Sequence, residues 1–552
     1  MPVKLIPVTP AAYTFPLLIK HLLHAPLANC PEQEITYMGQ RRHTYRTLRE
    51  RIGRLADALT GLGMTAGQTV AVLDWDSHRY LECFFAVPMS GAILQTVNVR
   101  LNPEQILYTL NHAEADILLV NSEFLPVLQT IAGQLETAKT LVLLHDGETL
   151  PEWPADFPLV RAGEYEALLA AASPDFDFPD FDENAQATVF YTTGTTGLPK
   201  GVYFSHRQLV MHTLSVATAL SSAPRQGRLH RDDVYMPITP MFHVHAWGLP
   251  YVATLLGLRQ VYPGKYLPDR LLHLITTEKV TFSHCVPTIL HMLLNHPHAR
   301  EADLSGWKVI IGGSALPQAL TLAAVARGID IFTGYGMSET CPILTLAQLT
   351  TAELSRPEAE QVALRAKTGR SIPLVDLRIV DAEMFDLPHD GQATGELVVR
   401  APWLTQGYLK NAAASEELWA GQYLHTSDIG HIDPAGHVQI TDRIKDVIKT
   451  GGEWTSSLQL EDLLGQHPAV SEVAVIGIRD EKWGERPLAL VILKPEFEGK
   501  VSEHEIRNHT ARLAESSGAS RYGILLQVSF VKALPRTSVG KLNKRLMRET
   551  HA

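Results

Sequence analysis

Short runs of β-branched and aliphatic residues alternate with helical segments through most of this chain. Apolar residues at helical spacing over 48–62 precede a strand-like run at 69–75. Similar strand-like runs recur at 117–120, 141–144 and 309–311. This alternation predicts an α/β fold, with a large N-terminal domain of several subdomains in which helices and largely parallel sheets form layers.

The pattern changes near Asp442, which predicts the boundary of a second, smaller domain. Short strands and turns precede this residue, and a charged strand running into a glycine turn follows it. The remaining residues contain strand-like runs and one helix, which is typical of an α+β unit. We therefore predict an N-terminal domain at 1–441, a hinge at 442–446 and a small mobile C-terminal domain at 447–552.

Composition narrows the partners that this chain can have. The formal net charge of -11 argues against binding to nucleic acid or to an anionic membrane surface. No stretch approaches about 18 uninterrupted apolar residues, so we expect no membrane-spanning helix. The four cysteines have no metal-like spacing, and we expect a cytoplasmic protein without a disulfide framework.

The segment YTTGTTGLPKG, residues 191–201, has the composition of a phosphate-binding loop. Glycines let backbone N–H groups turn toward a ligand, threonine hydroxyls add donors, and Lys200 adds a positive charge. The spacing is not that of a P-loop, because two residues separate Gly194 from Gly197 and Pro199 precedes the lysine. A connecting turn without a ligand stays open from these residues alone. The residues expected to contact phosphate are Thr192, Thr193, Gly194, Thr195, Thr196, Gly197 and Lys200.

Five further segments carry polar or glycine-rich patterns downstream. They are PMFHVHAWGLPY at 240–251, GGSALP at 312–317, GYGMSET at 334–340, YLHTSDIG at 423–430 and PRTSVGKLNKRLMR at 535–548. The third segment offers a hydroxyl and a carboxylate, which are the oxygen ligands that Mg²⁺ prefers. In the first, a metal site at His243 and His245 is conceivable, as is a core aromatic cluster.

In this order and at these distances, the segments resemble those of the adenylate-forming superfamily. That superfamily includes acyl-CoA synthetases, nonribosomal peptide adenylation domains and firefly luciferase. The resemblance covers residues from about 190 to about 545 and implies ATP, Mg²⁺ and coenzyme A as cofactor and co-substrates. It implies that a carboxylate first reacts with ATP to give an acyl-adenylate and pyrophosphate, and that a thiol then displaces AMP.

The resemblance also implies a role for individual residues. It assigns Lys541 to the adenylation step, Thr196 and Glu339 to Mg²⁺, and Ser338 to the α-phosphate. It assigns Asp428 to the ribose hydroxyls. The other residues expected at the nucleotide are Gly312, Ser314, Ala315, Gly334, Tyr335, Gly336, Met337, Arg443, Lys445, Lys449 and Trp454. The residues expected at the acyl group are His243, Trp247, Gly312 and Gly336.

Residues after the predicted boundary are expected to change partners during the reaction. The resemblance places the hinge at Lys445 and the coenzyme A channel at Gly451 and Gly452. Rotation about the hinge would withdraw Lys541 after the first half-reaction and bring the channel residues in. The resemblance also allows a homodimer.

The identity of the acid stays open between two groups. Gly336, Trp247 and Trp454 favour a medium- or long-chain fatty acid, since the superfamily has these residues in its fatty-acyl members. A short, branched or aryl acid, for example methylthiopropionate, is the alternative. Transfer to an acyl carrier protein, a luciferase-like oxygenase and a binding module that has lost catalysis are further alternatives.

Overall fold

The computed structural model describes residues 3–151, 157–192, 198–450, 453–517, 526–538 and 541–551. The predicted loop residues Thr193 to Gly197 and the predicted channel residues Gly451 and Gly452 lie outside these ranges. Strands follow one another in chain order as β1 (Glu34–Tyr37), β2 (Arg41–Thr44), β3 (Thr69–Leu73), β4 (Ile93–Thr96), β5 (Ala115–Asn121), β6 (Thr140–Leu144), β7 (Val160–Glu164), β8 (Gln186–Tyr191), β9 (Gly201–Ser205), β10 (Val234–Pro237), β11 (Arg259–Tyr262), β12 (Phe282–Cys285), β13 (Lys308–Ile311), β14 (Asp330–Gly336), β15 (Ile343–Leu346), β16 (Arg370–Ser371), β17 (Asp376–Val380), β18 (Gly395–Arg400), β19 (Leu424–Ile432), β20 (Val438–Arg443), β21 (Ile448–Thr450), β22 (Glu453–Thr455), β23 (Val470–Asp480), β24 (Gly484–Leu493) and β25 (Gln527–Phe530).

Helices separate many of these strands, as the sequence pattern predicts. In chain order they are α1 (His24–Asn29), α2 (Tyr45–Gly61), α3 (His78–Met89), α4 (Pro103–His112), α5 (Leu125–Ile131), α6 (Tyr165–Ala171), α7 (His206–Ser222), α8 (Leu249–Leu256), α9 (Pro268–Thr277), α10 (Pro287–Leu294), α11 (Gln318–Val325), α12 (Thr351–Leu354), α13 (Glu358–Ala366), α14 (Ala412–Leu418), α15 (Ser457–Gly465), α16 (Glu503–Ser517) and α17 (Lys544–His551).

Two large sheets, mostly parallel, form the centre of the fold. Within the described ranges, one sheet has seven strands in the order β7-β6-β5-β3-β4-β8-β9, and only its edge strand β9 runs antiparallel. The other has nine strands in the order β16-β15-β14-β13-β12-β10-β11-β1-β2 and is parallel from β14 to β1. Because parallel strands end at one edge of a sheet, the loops that follow them come together there.

Two smaller sheets complete the described part of the chain. An antiparallel sheet joins β17, β18, β19 and β20 in that order. The last sheet runs β22-β21-β24-β23, with β25 parallel to β24, and it packs against α15 and α17. A hydrogen-bonded turn at 443–447 connects β20 to β21, since Asp446 and Val447 both donate their backbone N–H groups to the carbonyl of Arg443.

The layered α/β architecture that the sequence predicts is confirmed, with small differences at element ends. The strand expected to reach Trp75 ends at Leu73, because the Asp74 carboxylate accepts the backbone N–H of Trp75. Ser205 and Gln208 form the predicted capping box at the start of α7. None of the described helices is long and apolar enough to cross a membrane.

Candidate active site

The loops after the parallel strands enclose a pocket of about 30 Å³. β13 ends just before Gly312, and β14 runs into the pocket at its carboxyl end. Lys541 reaches the same pocket from the segment that precedes α17. The pocket is therefore built jointly by a large sheet and by residues from the other side of the predicted hinge. The lining residues are His243, Val244, Trp247, Gly312, Gly313, Gly334, Tyr335, Gly336, Met337, Ser338, Pro342, Ile343 and Lys541.

One wall of this pocket is a left-handed turn at 244–248. Four consecutive non-glycine residues have φ between +48° and +59°, and Gly248 follows at +72°. Left-handed backbone costs about 1–2 kcal/mol for each such residue, so the turn is strained. It carries Trp247, whose indole packs at 5.0 Å from the ring of His284 and lies where a Cβ on Gly312 would be. The strained turn and the absence of a side chain at Gly312 together set the position of this tryptophan.

The two histidines of this segment lie in different surroundings. His243 lines the pocket, whereas His245 is fully buried and packs against the rings of Phe84, Phe190 and Phe204. Burial lowers the pKa of His245 to about 3, so this residue is neutral at physiological pH. Among the described side chains, the group that could share a metal ion is Asp269, His296 and His298. Neither His243 nor His245 belongs to this group. The structure gives no support to a metal site at His243 and His245.

Lys541 is a cation held inside the pocket. Burial and the nearby charge of Arg443 lower its pKa to about 8, against the opposing charges of Asp428 and Glu339. Burial and the charges of Lys541 and Arg100 lower the pKa of His243 to about 3. The pocket thus presents a neutral imidazole beside an ammonium group, and the ammonium is the group that can bind an anion.

A carboxylate stands at one side of the pocket with both oxygens engaged. Asp428, in β19, accepts a hydrogen bond of 2.7 Å from the Tyr335 hydroxyl and one of 3.0 Å from Nε of Arg443. The sequence assigns all three residues to the nucleotide, and the structure brings them together across two sheets. Tyr335 is thereby fixed at its hydroxyl end, with its ring at the pocket wall.

A second carboxylate is connected to the loop at 191–201 through an aromatic residue. The Tyr408 hydroxyl donates to Oε1 of Glu339 at 2.7 Å, and the ammonium of Lys200 lies 4.5 Å from the centre of the same ring. Glu339 is 7% exposed. No pattern in the sequence selects Tyr408, which lies in the stretch QGYLK; we identify it from its contacts with Glu339 and Lys200.

The two ends of the loop at 191–201 are joined by backbone pairing. Thr192 donates its backbone N–H to the carbonyl of Lys200 at 2.9 Å, and Lys200 donates its N–H to the Thr192 hydroxyl at 3.3 Å. Tyr408 and Leu409 pair with the residues that follow the loop, at Val202 and Gly201. The loop therefore leaves and re-enters the sheet at one place, next to the ring that contacts Glu339.

Several other predicted site residues that the structure describes lie outside the pocket lining. Ser314 and Ala315 are exposed just beyond the turn at Gly313. Lys445 is exposed in the 443–447 turn, and Lys449 is exposed in β21, where its backbone N–H donates to Glu485. Trp454 lies in β22, opposite Lys449.

Asp442 joins the two sides of the predicted hinge. One of its oxygens accepts the backbone N–H of Arg443, and the other accepts the N–H of Ser457 at the start of α15. The Ser456 hydroxyl donates to the carbonyl of Thr441 in the same region. Burial raises the pKa of the Asp442 carboxyl. The Asp442 carboxylate therefore helps to cap the N-terminus of α15, which the sequence did not predict.

Gly336 is required by a close approach of two backbone segments. A Cβ at this position would lie 1.7 Å from the carbonyl oxygen of Pro342, a separation that non-bonded atoms never reach.

Gly336→Ala should therefore lower the free energy of unfolding by about 3 kcal/mol, measured from the denaturant midpoint. Gly61→Ala is the matched control, because a Cβ at Gly61 meets nothing within 4 Å inside α2, and it should be neutral or stabilising. Equal stability of the two variants would contradict the steric account.

Comparisons with known proteins agree with this geometry. Residues 23–409 match the family described as AMP-binding enzyme, and residues 459–541 match the AMP-binding enzyme C-terminal domain. The chain is 40% identical over 513 residues to the long-chain-fatty-acid–CoA ligase of Thermus thermophilus, covering 92% of this chain and 90% of that protein. It is 36% identical over 544 residues to the 3-methylmercaptopropionyl-CoA ligase of Ruegeria pomeroyi, covering 97% of each.

A solved structure supports the same assignment. The anthranilate CoA ligase AuaEII in complex with anthranoyl-AMP matches with a TM-score of 0.83 and 25% sequence identity, covering 97% of this chain and 98% of that one. The first family match alone spans well over half of the chain. The resemblance inferred from the motifs is thereby confirmed, and the chain belongs to the AMP-binding enzyme family.

Proposed function

We propose that this protein is an AMP-forming acyl-CoA synthetase that activates a medium- or long-chain fatty acid. The observation that carries the proposal is the position of Lys541, which lines the same pocket as His243, Trp247 and the glycine-rich turns. An ammonium group at this place can neutralise charge that develops on a phosphate beside an acyl carboxylate. The carboxylates of Asp428 and Glu339 lie near enough to oppose the loss of its proton.

The reaction needs positioning and charge rather than a protein nucleophile. A carboxylate oxygen of the acid forms a bond to the α-phosphorus of ATP, and the bond from that phosphorus to pyrophosphate breaks. The coenzyme A thiol then loses its proton and bonds to the acyl carbon, and AMP leaves. In this scheme the loop ending at Lys200 holds the pyrophosphate end, Asp428 binds the ribose, and His243 stays neutral beside the acyl carboxylate.

Glu339 suits a magnesium ion that accompanies ATP. Its carboxylate is buried, and the hydrogen bond from Tyr408 fixes one of its oxygens. Hard oxygen donors of this kind are what Mg²⁺ prefers, and the ion would supply charge neutralisation along the triphosphate when bound. The Thr196 hydroxyl, expected to join it, lies outside the described residues.

We place the rotation of the C-terminal unit at residues 442–446. The hydrogen-bonded turn at 443–447 is compatible with a hinge, and Lys541 lies on its far side.

We also place the enzyme in the cytoplasm, since all four cysteines carry free thiols, as is usual in a reducing compartment. The homodimer that the resemblance allows stays a prediction.

The surroundings of Trp247 favour an apolar acyl chain. The cavity beside this indole holds no more than one or two waters, so an acyl group needs the strained turn at 244–248 to move. The indole packs against the imidazole of His284, and His245 of the same turn packs against the ring of Phe84; burial lowers the pKa of each histidine to about 3, so both are neutral. Neutral and apolar surroundings of this kind suit a hydrocarbon chain.

A short acid is the second candidate, because of one relative. The match to the 3-methylmercaptopropionyl-CoA ligase of Ruegeria pomeroyi covers 97% of this chain. Its sequence identity of 36% is close to the 40% of the long-chain enzyme. The substrate of the Ruegeria pomeroyi enzyme is small but also apolar beyond the carboxylate. The same pocket chemistry therefore accommodates both, and chain length must be measured.

Coenzyme A-dependent AMP release across a graded set of acids tests the proposed function. We expect kcat/KM to rise from butyrate to octanoate by about two orders of magnitude, since each buried methylene contributes about 0.8 kcal/mol. Palmitate should be at least as good as octanoate. A higher value for methylthiopropionate or benzoate than for octanoate would assign the alternative substrate class.

The acceptor is tested in the same assay. Acyl carrier protein in place of coenzyme A should give no thioester, and oxygen uptake should be absent. Efficient loading of the carrier protein, or oxygen consumption that depends on the acid and ATP, would contradict the proposed second half-reaction. No AMP or pyrophosphate release with any acid would contradict the proposed enzyme class.

The pH dependence of pyrophosphate release tests the role of Lys541. Its pKa of about 8 means that the free enzyme holds the ammonium form below that pH and loses it above. We expect kcat/KM for ATP, measured without coenzyme A, to fall about tenfold per pH unit on the alkaline side. Lys541→Arg keeps a guanidinium charged throughout, so its profile should lack this fall whatever its absolute rate. An unchanged alkaline fall in Lys541→Arg would assign the ionisation to another group.

A further inference from the structure

The residues that follow β4 contact the segment that carries Lys541. Asn98 is 6% exposed, and its Nδ2 donates a hydrogen bond of 3.0 Å to the Ser538 hydroxyl. Its Oδ1 accepts the backbone N–H of Arg100 at 3.0 Å, which fixes the amide. The hydrogen bond joins residues 440 positions apart, one on each side of the predicted hinge.

The two ends of the lysine segment are paired with each other, so a contact on one end can position the other. Thr537 donates its backbone N–H to the carbonyl of Lys541 at 2.7 Å, and Lys541 returns its N–H to the Thr537 hydroxyl at 3.2 Å. Arg536 and Leu542 form a bridge just outside this pair, and Asn543 donates to the Pro535 carbonyl at 2.8 Å. Fixing Ser538 therefore fixes the backbone from which the Lys541 side chain projects.

The segment at residues 96–100, which begins with the last residue of β4, also contacts the acyl side of the pocket. The Thr96 hydroxyl donates to the carbonyl of Phe242 at 3.0 Å, and the guanidinium of Arg100 lies 5.9 Å from the centre of the Phe242 ring. Phe242 immediately precedes His243, which lines the pocket. One short segment, residues 96–100, thus holds both the loop of His243 and the loop of Lys541.

We propose that Asn98 is a positioning residue for the first half-reaction, which it serves by holding Ser538 and thereby Lys541 in the pocket. This inference rests on the proposed function. When the C-terminal unit rotates for thioester formation, the Asn98–Ser538 hydrogen bond must break, because Lys541 leaves the pocket with its whole segment. The contact therefore favours adenylation and contributes nothing to the attack of coenzyme A.

Loss of this hydrogen bond should slow the first half-reaction alone. We expect Asn98→Ala and Ser538→Ala each to reduce pyrophosphate release from acid and ATP about three- to tenfold, which is the worth of a typical hydrogen bond. Thioester formation from supplied acyl-adenylate and coenzyme A should not be slowed. Ser538→Thr, which keeps the hydroxyl, should restore most of the first rate.

The double variant and a matched control make the test specific. Asn98→Ala with Ser538→Ala should be no slower than either single variant, because both changes remove one interaction. Asn295→Ala removes an exposed amide that donates to the His291 carbonyl of its own helix, and it should match the wild type in both half-reactions. Multiplied effects in the double variant, or equal losses in both half-reactions, would overturn the proposal.

A measurement that needs no turnover separates this inference from the proposed function. In the ligand-free protein, amide hydrogen exchange of a peptide containing residues 535–543 should quicken in Asn98→Ala and Ser538→Ala, and not in Asn295→Ala. Unchanged exchange in both variants would overturn the positioning role even if the wild type forms acyl-CoA. A wild type without either half-reaction would instead remove the proposed function, whatever the exchange shows.

Discussion

The ammonium of Lys541, on a side chain that is half-buried in the pocket, is the group on which the rest of this site depends. Removing a cation from water is costly unless anions or hydrogen-bond acceptors compensate for it. Asp428 in β19 and Glu339 in the turn after β14 provide that compensation, and Arg443 opposes it. The ammonium is therefore poised to accept a further anion, and the phosphate of a bound nucleotide is the ligand that would stabilise it most.

The acyl side of the pocket follows a different physical rule. Its histidines are neutral because burial disfavours their charged forms, and its tryptophan is held by a turn in an unfavourable backbone conformation. A strained turn next to a cavity too small for a substrate has less to lose by moving than a relaxed one. These features close the acyl side of the pocket in this conformation. We expect that opening it costs little free energy, because the turn is already strained.

Much of the fold could be predicted from sequence, for a local reason, and most of the residues that line the pocket are among those predicted for the site. Strand-like runs, the capping box of Ser205 and Gln208, and the glycine turns at 312 and 334 are patterns set by neighbours in the chain. The contacts of Tyr408, Asn98 and Ser538 could not be predicted, because each joins segments far apart in sequence and none of these residue types is diagnostic alone. The left-handed turn at 244–248 carries no glycine before its last residue, so its conformation follows from tertiary packing.

In the proposed mechanism, Lys541 serves the first half-reaction and then leaves the pocket. Replacement of Lys541 by alanine, with the two half-reactions measured separately, tests it most directly; Lys532→Ala, at an exposed position, is the control. We expect pyrophosphate release to fall about a thousandfold in Lys541→Ala, while thioester formation from supplied acyl-adenylate stays close to the wild-type rate. An equal loss in both half-reactions would contradict it, because Lys541 would then have to remain in the pocket throughout.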